Sequence, residues 1–251
     1  MTTEVAGGLL WLPSCGSTND EARARLGDPH VGAVATDAQT AGRGRRGRTW
    51  FSPPGCGLYL TWIVRGRVAP MHAGVLPLLA GVVTARLCES LGARPMLKWP
   101  NDLLLGGRKL AGVLCESRVD AAGMDALVGI GLNLRAPPGG YPPEVPGVAL
   151  ETPLGAAEVA RRLHAALDAA LDALPPNAPF AGVLPDWRAR GPAPGTPMRV
   201  GEVTGTFADL APDGALLLDA PTGRLRVDAG EVELVATLDG QAPAAVPDTR
   251  P

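Results

Sequence analysis

Five residues, Gly191-Pro-Ala-Pro-Gly195, divide the chain into two stretches that obey different folding rules. Two prolines set between two glycines support neither a helix interior nor a central strand. Beyond them, short apolar runs at 198–203, 205–211, 215–219, 225–227 and 231–235 are punctuated by Asp213-Gly214 and Thr222-Gly223. Runs so short and so regularly interrupted leave no place for a helix and predict a small β-barrel over residues 192–237. The Pro- and Ala-rich residues 238–251 read as a disordered tail. Before the divide, strands alternate with helices. Apolar runs at 9–12, 31–37, 57–63 and 127–134 predict strands, and 97–105 and 108–116 predict a hairpin across Gly106-Gly107. Thr18 and Glu21 have capping-box spacing ahead of a helical stretch that ends at Gly27. Residues 72–91 are apolar on nearly all sides, as in a buried helix, with Pro77 near the first turn and Gly92 at the stop. Leu154, Val159, Leu163, Leu167, Leu171 and Leu174 recur at helical spacing and Pro175-Pro176 ends the run. Residues 1–190 are therefore expected to form an α/β (α+β) domain, a mixed β-sheet packed with helices.

Charge follows the same divide. Residues 1–191 carry 19 basic and 16 acidic side chains, whereas residues 192–251 carry 4 and 9. The net charge of −2 gives no global basic field for nucleic acid. No apolar run reaches the ~20 residues of a bilayer span, which points to a cytoplasmic protein. Cys15, Cys56, Cys88 and Cys115 form no CxxC, and His30, His72 and His164 are scattered. That spacing argues against a zinc cluster or a disulfide scaffold, and the three histidines read as structural.

Three segments carry the candidate chemistry. Gly42-Arg-Gly-Arg-Arg-Gly47 satisfies the dinucleotide pattern G-x-G-x-x-G, yet Trp50-Phe-Ser-Pro-Pro54 follows where a helix would have to start. No Gly-Lys-Ser/Thr closes it as a Walker loop either. What remains is a loop with Arg43, Arg45, Arg46 and Arg48, suited to a polyanion such as a nucleoside triphosphate, or a solvated basic arm for RNA. The second segment is Lys98-Trp-Pro-Asn-Asp102, followed by Arg108-Lys-Leu-Ala-Gly112. Lys98 and Lys109 are the only lysines of a chain that elsewhere uses arginine. A compact ammonium with three rotatable donors does what a planar fork cannot. Both lie near opposite ends of one hairpin unit and could approach one ligand. The third is Gly129-Ile-Gly-Leu-Asn133, a strand whose glycines allow close backbone approach and whose last residue offers an amide.

Taken in order and spacing, Ser17-Thr-Asn19, Gln39-Thr-Ala-Gly-Arg-Gly-Arg-Arg-Gly-Arg48, Trp50-Phe-Ser-Pro53, Lys98–Asp102, Arg108–Gly112 and Gly129–Asn133 resemble the biotin protein ligases. The likeness covers about residues 9–135. Gly214-Ala-Leu-Leu-Leu218 and Gly230-Glu-Val232 also look like that family's small SH3-like domain.

The resemblance implies a ligase that makes biotinyl-5′-AMP from biotin and ATP with Mg²⁺, then passes biotin to a lysine of a biotin carboxyl carrier protein. It assigns catalysis to Lys109, Arg45 and Arg48. Biotin would be lined by Ser17, Thr18, Asn19, Gln39, Gly42, Arg43, Gly44, Arg45, Lys109 and Gly112. ATP or the adenylate would meet Arg45, Arg48, Trp50, Lys98, Asn101, Asp102 and Asn133, with Asp102 as the Mg²⁺ ligand. Some relatives carry an N-terminal DNA-binding domain. Here Ser17-Thr-Asn19 comes too early to leave room for one, so a ligase without DNA binding, monomeric or homodimeric, is expected. Lipoate ligases share the fold and adenylation chemistry, but the clustered polar groups at Ser17–Asn19 and Gln39 suit a ureido ring better.

Overall fold

The computed structural model describes residues 4–121 and 123–235. Thirteen strands and four α-helices are assigned among them, in two sheets. The larger sheet has eight strands: β1 (Glu4–Ala6), β2 (Leu9–Trp11), β3 (Ala33–Thr36), β4 (Gly57–Arg65), β5 (Met96–Lys98), β6 (Asp102–Leu105), β7 (Arg108–Asp120) and β8 (Gly123–Asn133). Their order across the sheet is β1-β2-β3-β4-β8-β7-β6-β5. All neighbours run antiparallel except β2 and β3, which helix α1 (Thr18–Ala24) joins as a crossover.

Period-two alternation sends the two faces of this sheet to different partners. Ala33, Ala35, Leu58, Leu60, Trp62, Val128, Ile130 and Leu132 belong to the main core. That core also holds α2 (Val75–Ser90), α3 (Ala156–Asp172) and α4 (Pro179–Arg188). The helix α2 has no polar face because the sheet covers one side and α3 and α4 cover the other. On the opposite face, Leu10, Val34, Ile63 and Leu127 pack against Ala22 of α1 in a smaller cluster. No helix is long and apolar enough to cross a membrane among the described residues.

Three local expectations change. Thr18 is the first residue of α1 rather than its cap: Ser17 occupies the cap position without a side-chain cap bond, and the Thr18 hydroxyl points to Gln39 and Thr61. The expected strand 97–105 is two antiparallel strands, β5 and β6, turned at the cis Trp99-Pro100 bond and Asn101. The helix α4 lies where Pro179, Gly182 and Pro185 hide its pattern.

The C-terminal strands β9 (Pro197–Val200), β10 (Val203–Leu210), β11 (Leu216–Ala220), β12 (Gly223–Val227) and β13 (Val232–Leu234) form one antiparallel sheet, ordered β12-β11-β10-β9-β13. Among the described residues its end strands β12 and β13 are not paired with each other, an arrangement consistent with the small SH3-like unit expected there. It sits against the first unit through Trp187 and Phe207, whose rings lie 6.0 Å apart. Arg188 pairs with Asp209 at 2.7 Å, and Trp99 Nε1 donates to the Gly214 carbonyl at 2.9 Å. The tail expected at 238–251 lies outside the described residues.

Candidate active site

The face of the large sheet not covered by α2 carries α1 over one part and a cavity of about 850 Å³ over the rest. A single extra residue decides what enters that cavity. Leu103 pairs with Ala111 but Leu104 pairs with Lys109, so Leu110 is bulged out of register in β7. In an unbroken strand Lys109 would share the face of Ala111 and Val113, under the helices. The bulge turns it to the face of Gly112 and Leu114, where it lines the cavity.

Glycine then makes the floor. Gly112 and Gly131 are direct partners across β7 and β8, and the Trp50 indole lies on both. A Cβ on Gly131 would sit 2.5 Å from Trp50 Cε2, and one on Gly112 would sit 2.9 Å from its Cζ3. Lys109 Nζ stands 5.1 Å above the centroid of the Trp50 ring and 2.7 Å from Asp102 Oδ1. Lys98 Nζ reaches the other oxygen of Asp102 at 3.2 Å. Both lysines thus converge on one carboxylate. Burial alone would raise the Asp102 carboxyl, but Lys109 and then Lys98 more than offset this and hold it below its ordinary value.

Residues 43–49 form a tight loop closed by Gly44 N–H to Arg48 O at 2.7 Å and by Trp50 N–H to Gly42 O at 2.9 Å. Arg46 takes a left-handed conformation at its tip, with φ of 55°. The arginines of this loop hold provisional partners. Arg45 Nη1 donates to Asn101 Oδ1 at 3.1 Å and to the Gly230 carbonyl at 3.2 Å. Arg48 pairs with Glu231 at 2.6 Å, and Arg46 lies 3.9 Å from the same carboxylate. Arg43 turns the other way, to Asp20 at 2.7 Å and Glu116 at 3.4 Å.

The far wall is polar, buried and largely uncharged. Gln39 Oε1 accepts from the Thr18 N–H at 2.9 Å and lies 3.2 Å from Thr18 Oγ1. Gln39 Nε2 donates to Ser52 Oγ at 3.3 Å. Asn19 Nδ2 donates to Glu116 Oε2 at 2.7 Å, while its Oδ1 is 2.6 Å from Thr61 Oγ1. Gly129 lacks the side chain that would collide with that amide, since a Cβ there would be 2.3 Å from Asn19 Oδ1.

Of the residues expected at the site, Ser17, Thr18, Asn19, Gln39, Arg43, Gly44, Arg45, Arg48, Trp50, Lys98, Asn101, Asp102, Lys109, Gly112 and Asn133 all line this one cavity. Gly42 does not; it is buried beside Ser52, the Trp50 carbonyl and Gln39. Asn133 spends its Nδ2 on the carbonyls of Lys109 (3.2 Å) and Val148 (3.0 Å), leaving its oxygen uncommitted by those bonds. Asp102 already bridges two ammonium groups, and no group of three His, Cys, Asp or Glu side chains that could hold a metal occurs among the described residues. The residues present do not fit a Mg²⁺ centre built by the protein. The loop that follows β8 forms a wall for which the sequence offered no signal. Lys109 N–H donates to Pro146 O at 2.9 Å and Val148 N–H to Lys109 O at 3.0 Å. Tyr141 rests on Gly147 and meets Phe51 edge-on at 6.4 Å.

Comparison with known proteins gives this arrangement its kin. Residues 14–133 match the model of the biotin/lipoate A/B protein ligase family, and residues 198–235 match that of the biotin protein ligase C-terminal domain. The biotin–[acetyl-CoA-carboxylase] ligase of Paracoccus denitrificans is 37% identical over 216 residues, covering 79% of this chain and 88% of that protein. The chain belongs to the biotin protein ligase family. The family's bifunctional ligase/repressor BirA of Escherichia coli is 44% identical over 133 residues, which are 51% of this chain. The match spans only 41% of that longer relative. Among solved structures, the biotin protein ligase of Aquifex aeolicus in complex with biotin and ATP superposes with a TM-score of 0.75 at 26% identity, over 92% of this chain and all of that one.

Proposed function

We propose that this chain is an ATP-dependent ligase that activates biotin as biotinyl-5′-AMP and transfers it to a lysine of a biotin carboxyl carrier protein. The observation that carries the reading is the convergence of Lys109, Lys98 and the arginine loop on one cavity whose opposite wall is polar, buried and mostly neutral. The likeness to the Paracoccus biotin–[acetyl-CoA-carboxylase] ligase supports it, as does the likeness to the Aquifex protein in complex with biotin and ATP.

The reaction asks two anions to meet. A biotin carboxylate oxygen bonds to the α-phosphorus of ATP as the bond to the β-phosphate oxygen breaks, and pyrophosphate leaves. A cation about 4 Å from the reacting oxygens, at an effective dielectric near 20, is worth about 4 kcal/mol. If half of that appears only at the transition state, the rate gain is roughly 30-fold. Lys109 takes this role, being carried on the sheet and aimed by the bulge. Arg45 and Arg48 exchange Gly230 and Glu231 for phosphate oxygens, and Lys98, Asn101 and Asn133 hold the nucleotide. Asp102 holds both ammonium groups in place. Mg²⁺ comes as the companion of the ATP substrate. Ser17, Thr18, Asn19 and Gln39 receive the ureido ring, and Trp50 with the arginine loop keeps water from the mixed anhydride. In the second step the carrier's neutral lysine amine bonds to the acyl carbon and AMP leaves. With ATP and a carrier protein as substrates, we place the reaction in the cytoplasm.

Incubation with biotin, labelled ATP, Mg²⁺ and a carrier domain, followed by mass analysis, tests both steps. Biotinyl-AMP and a carrier heavier by one biotinyl group are expected. Pyrophosphate exchange driven by lipoate and not by biotin would overturn the substrate assignment.

A further inference from the structure

Glu116 and Thr61 stand behind the polar wall and do not line the cavity, yet they are bonded to the residues that do. Thr18, Asn19 and Thr61 are at most 4% exposed, so each must find its partners within the protein. Their protons can be followed one at a time. A carboxylate only accepts, so Glu116 obliges Asn19 to present its Nδ2, 2.7 Å away. The same amide therefore presents Oδ1 to Thr61 Oγ1 at 2.6 Å. An amide oxygen cannot donate, so the single Thr61 hydroxyl proton goes to it. Thr18 Oγ1 lies 2.9 Å from Thr61 Oγ1 and 3.2 Å from Gln39 Oε1; with the Thr61 proton spent on Asn19, the single Thr18 proton closes the shorter contact, to Thr61, and not the longer one to Gln39. Thr18 is left with lone pairs, next to a Gln39 Oε1 that already accepts from the Thr18 N–H.

We propose that Glu116 is a positioning residue that sets the hydrogen-bond polarity of this wall, fixing Thr18 and Gln39 as acceptors for the N–H groups of a cyclic urea. This deepens the function proposed above and rests on it. Two further features hold the relay in one state. Arg23 donates to Glu116 Oε2 at 2.9 Å and Arg43 lies 3.4 Å from it, so the acceptor is held and aimed. The absent side chain at Gly129 leaves room for the Asn19 oxygen on the Thr61 side. A carboxylic acid with no N–H at its far end gains nothing from such a wall and leaves the remaining lone pairs of the buried Thr18 Oγ1 and the half-buried Gln39 Oε1 unmet. The relay therefore discriminates as well as binds.

The test is steady-state pyrophosphate exchange with the full chain, titrating biotin, desthiobiotin (which keeps the cyclic urea) and octanoic acid (which lacks it). In Glu116→Leu, KM for biotin and for desthiobiotin should rise on the order of tenfold, the worth of about one hydrogen bond, with kcat and the KM for ATP changed less than about twofold. Any exchange with octanoic acid should keep its KM, so discrimination shrinks by the same factor. Glu116→Gln, which retains an acceptor oxygen, should recover most of the loss. Thr61→Val breaks the relay one bond further on and serves if Glu116→Leu fails to fold; it should reproduce the biotin-specific rise. A biotin KM within about twofold of wild type in both Glu116→Leu and Thr61→Val would overturn the inference, as would an equal rise for octanoic acid or ATP. Wild-type protein that forms no biotinyl-AMP would instead remove the proposed function itself, and this inference with it.

Discussion

The two ends of the cavity hold their polar groups in opposite ways. At the wall of Thr18, Asn19 and Thr61 the partners are buried and linked by short bonds between neighbours that cannot leave. At the arginine loop, Arg48 is 61% and Glu231 39% exposed, and they meet across two sheets. Pairs so exposed contribute up to about 1 kcal/mol. One end is finished as it stands; the other keeps its charges in exposed ion pairs, which the proposed function has a triphosphate replace. Lys109 stands between them, tied to a buried carboxylate yet carried at the rim. Shape recognition thus belongs to the fixed end and charge recognition to the exchangeable one.

The sharpest way to break this contrast is Lys109→Ala. Biotin-dependent pyrophosphate exchange should fall by roughly 30-fold in kcat, the transition-state share argued above, while the thermal midpoint stays near wild type. Near-normal exchange would take Lys109 out of the mechanism. Gly131→Val comes next, since its methyl groups must displace the Trp50 indole; overpacking of about 1–3 kcal/mol should appear as a shifted tryptophan emission and a roughly tenfold or greater loss in kcat/KM. Arg48→Ala should raise the KM for ATP about tenfold through one lost charge-assisted bond and leave the KM for biotin alone, the mirror image of Glu116→Leu. A change in both constants would erase the division of labour.

The smallest effect concerns acid. The folded Asp102 carboxyl lies below its ordinary 3.8, so the stability it contributes is in place above that value and is lost as pH falls through the lower folded one. Asp102→Asn should therefore unfold with a flatter acid limb below about pH 4, read by circular dichroism across a pH series.

Much of this was legible because it is periodic or local. The divide at Gly191–Gly195, the buried helix α2, the strands β4 and β8 and the spacing of Gly129, Gly131 and Asn133 follow from alternation and from proline and glycine. Residues from all six motifs line one cavity. What stayed hidden is long-range. Glu116 meets Asn19 across 97 residues, and nothing near either residue announces the other. The Leu110 bulge is a register event set by the partner strand, so alternation alone would place Lys109 in the core. The helix α4 is masked by Pro179 and Pro185, whose cost is met by burying Phe180, Val183, Leu184 and Trp187. The capping-box reading of Thr18 and Glu21 failed because the hydroxyl found tertiary partners in Gln39 and Thr61.

Gly112, Gly129 and Gly131 show that much of this site is carved by omission. None of the three carries a functional group, yet each keeps open the volume that an indole, an ammonium stem or an amide fills. A saturation scan of activity would mark these positions as intolerant of even one methyl, while charged residues on the nearby rim accept exchange. Here the empty volumes are as much a part of the site as the side chains that face them.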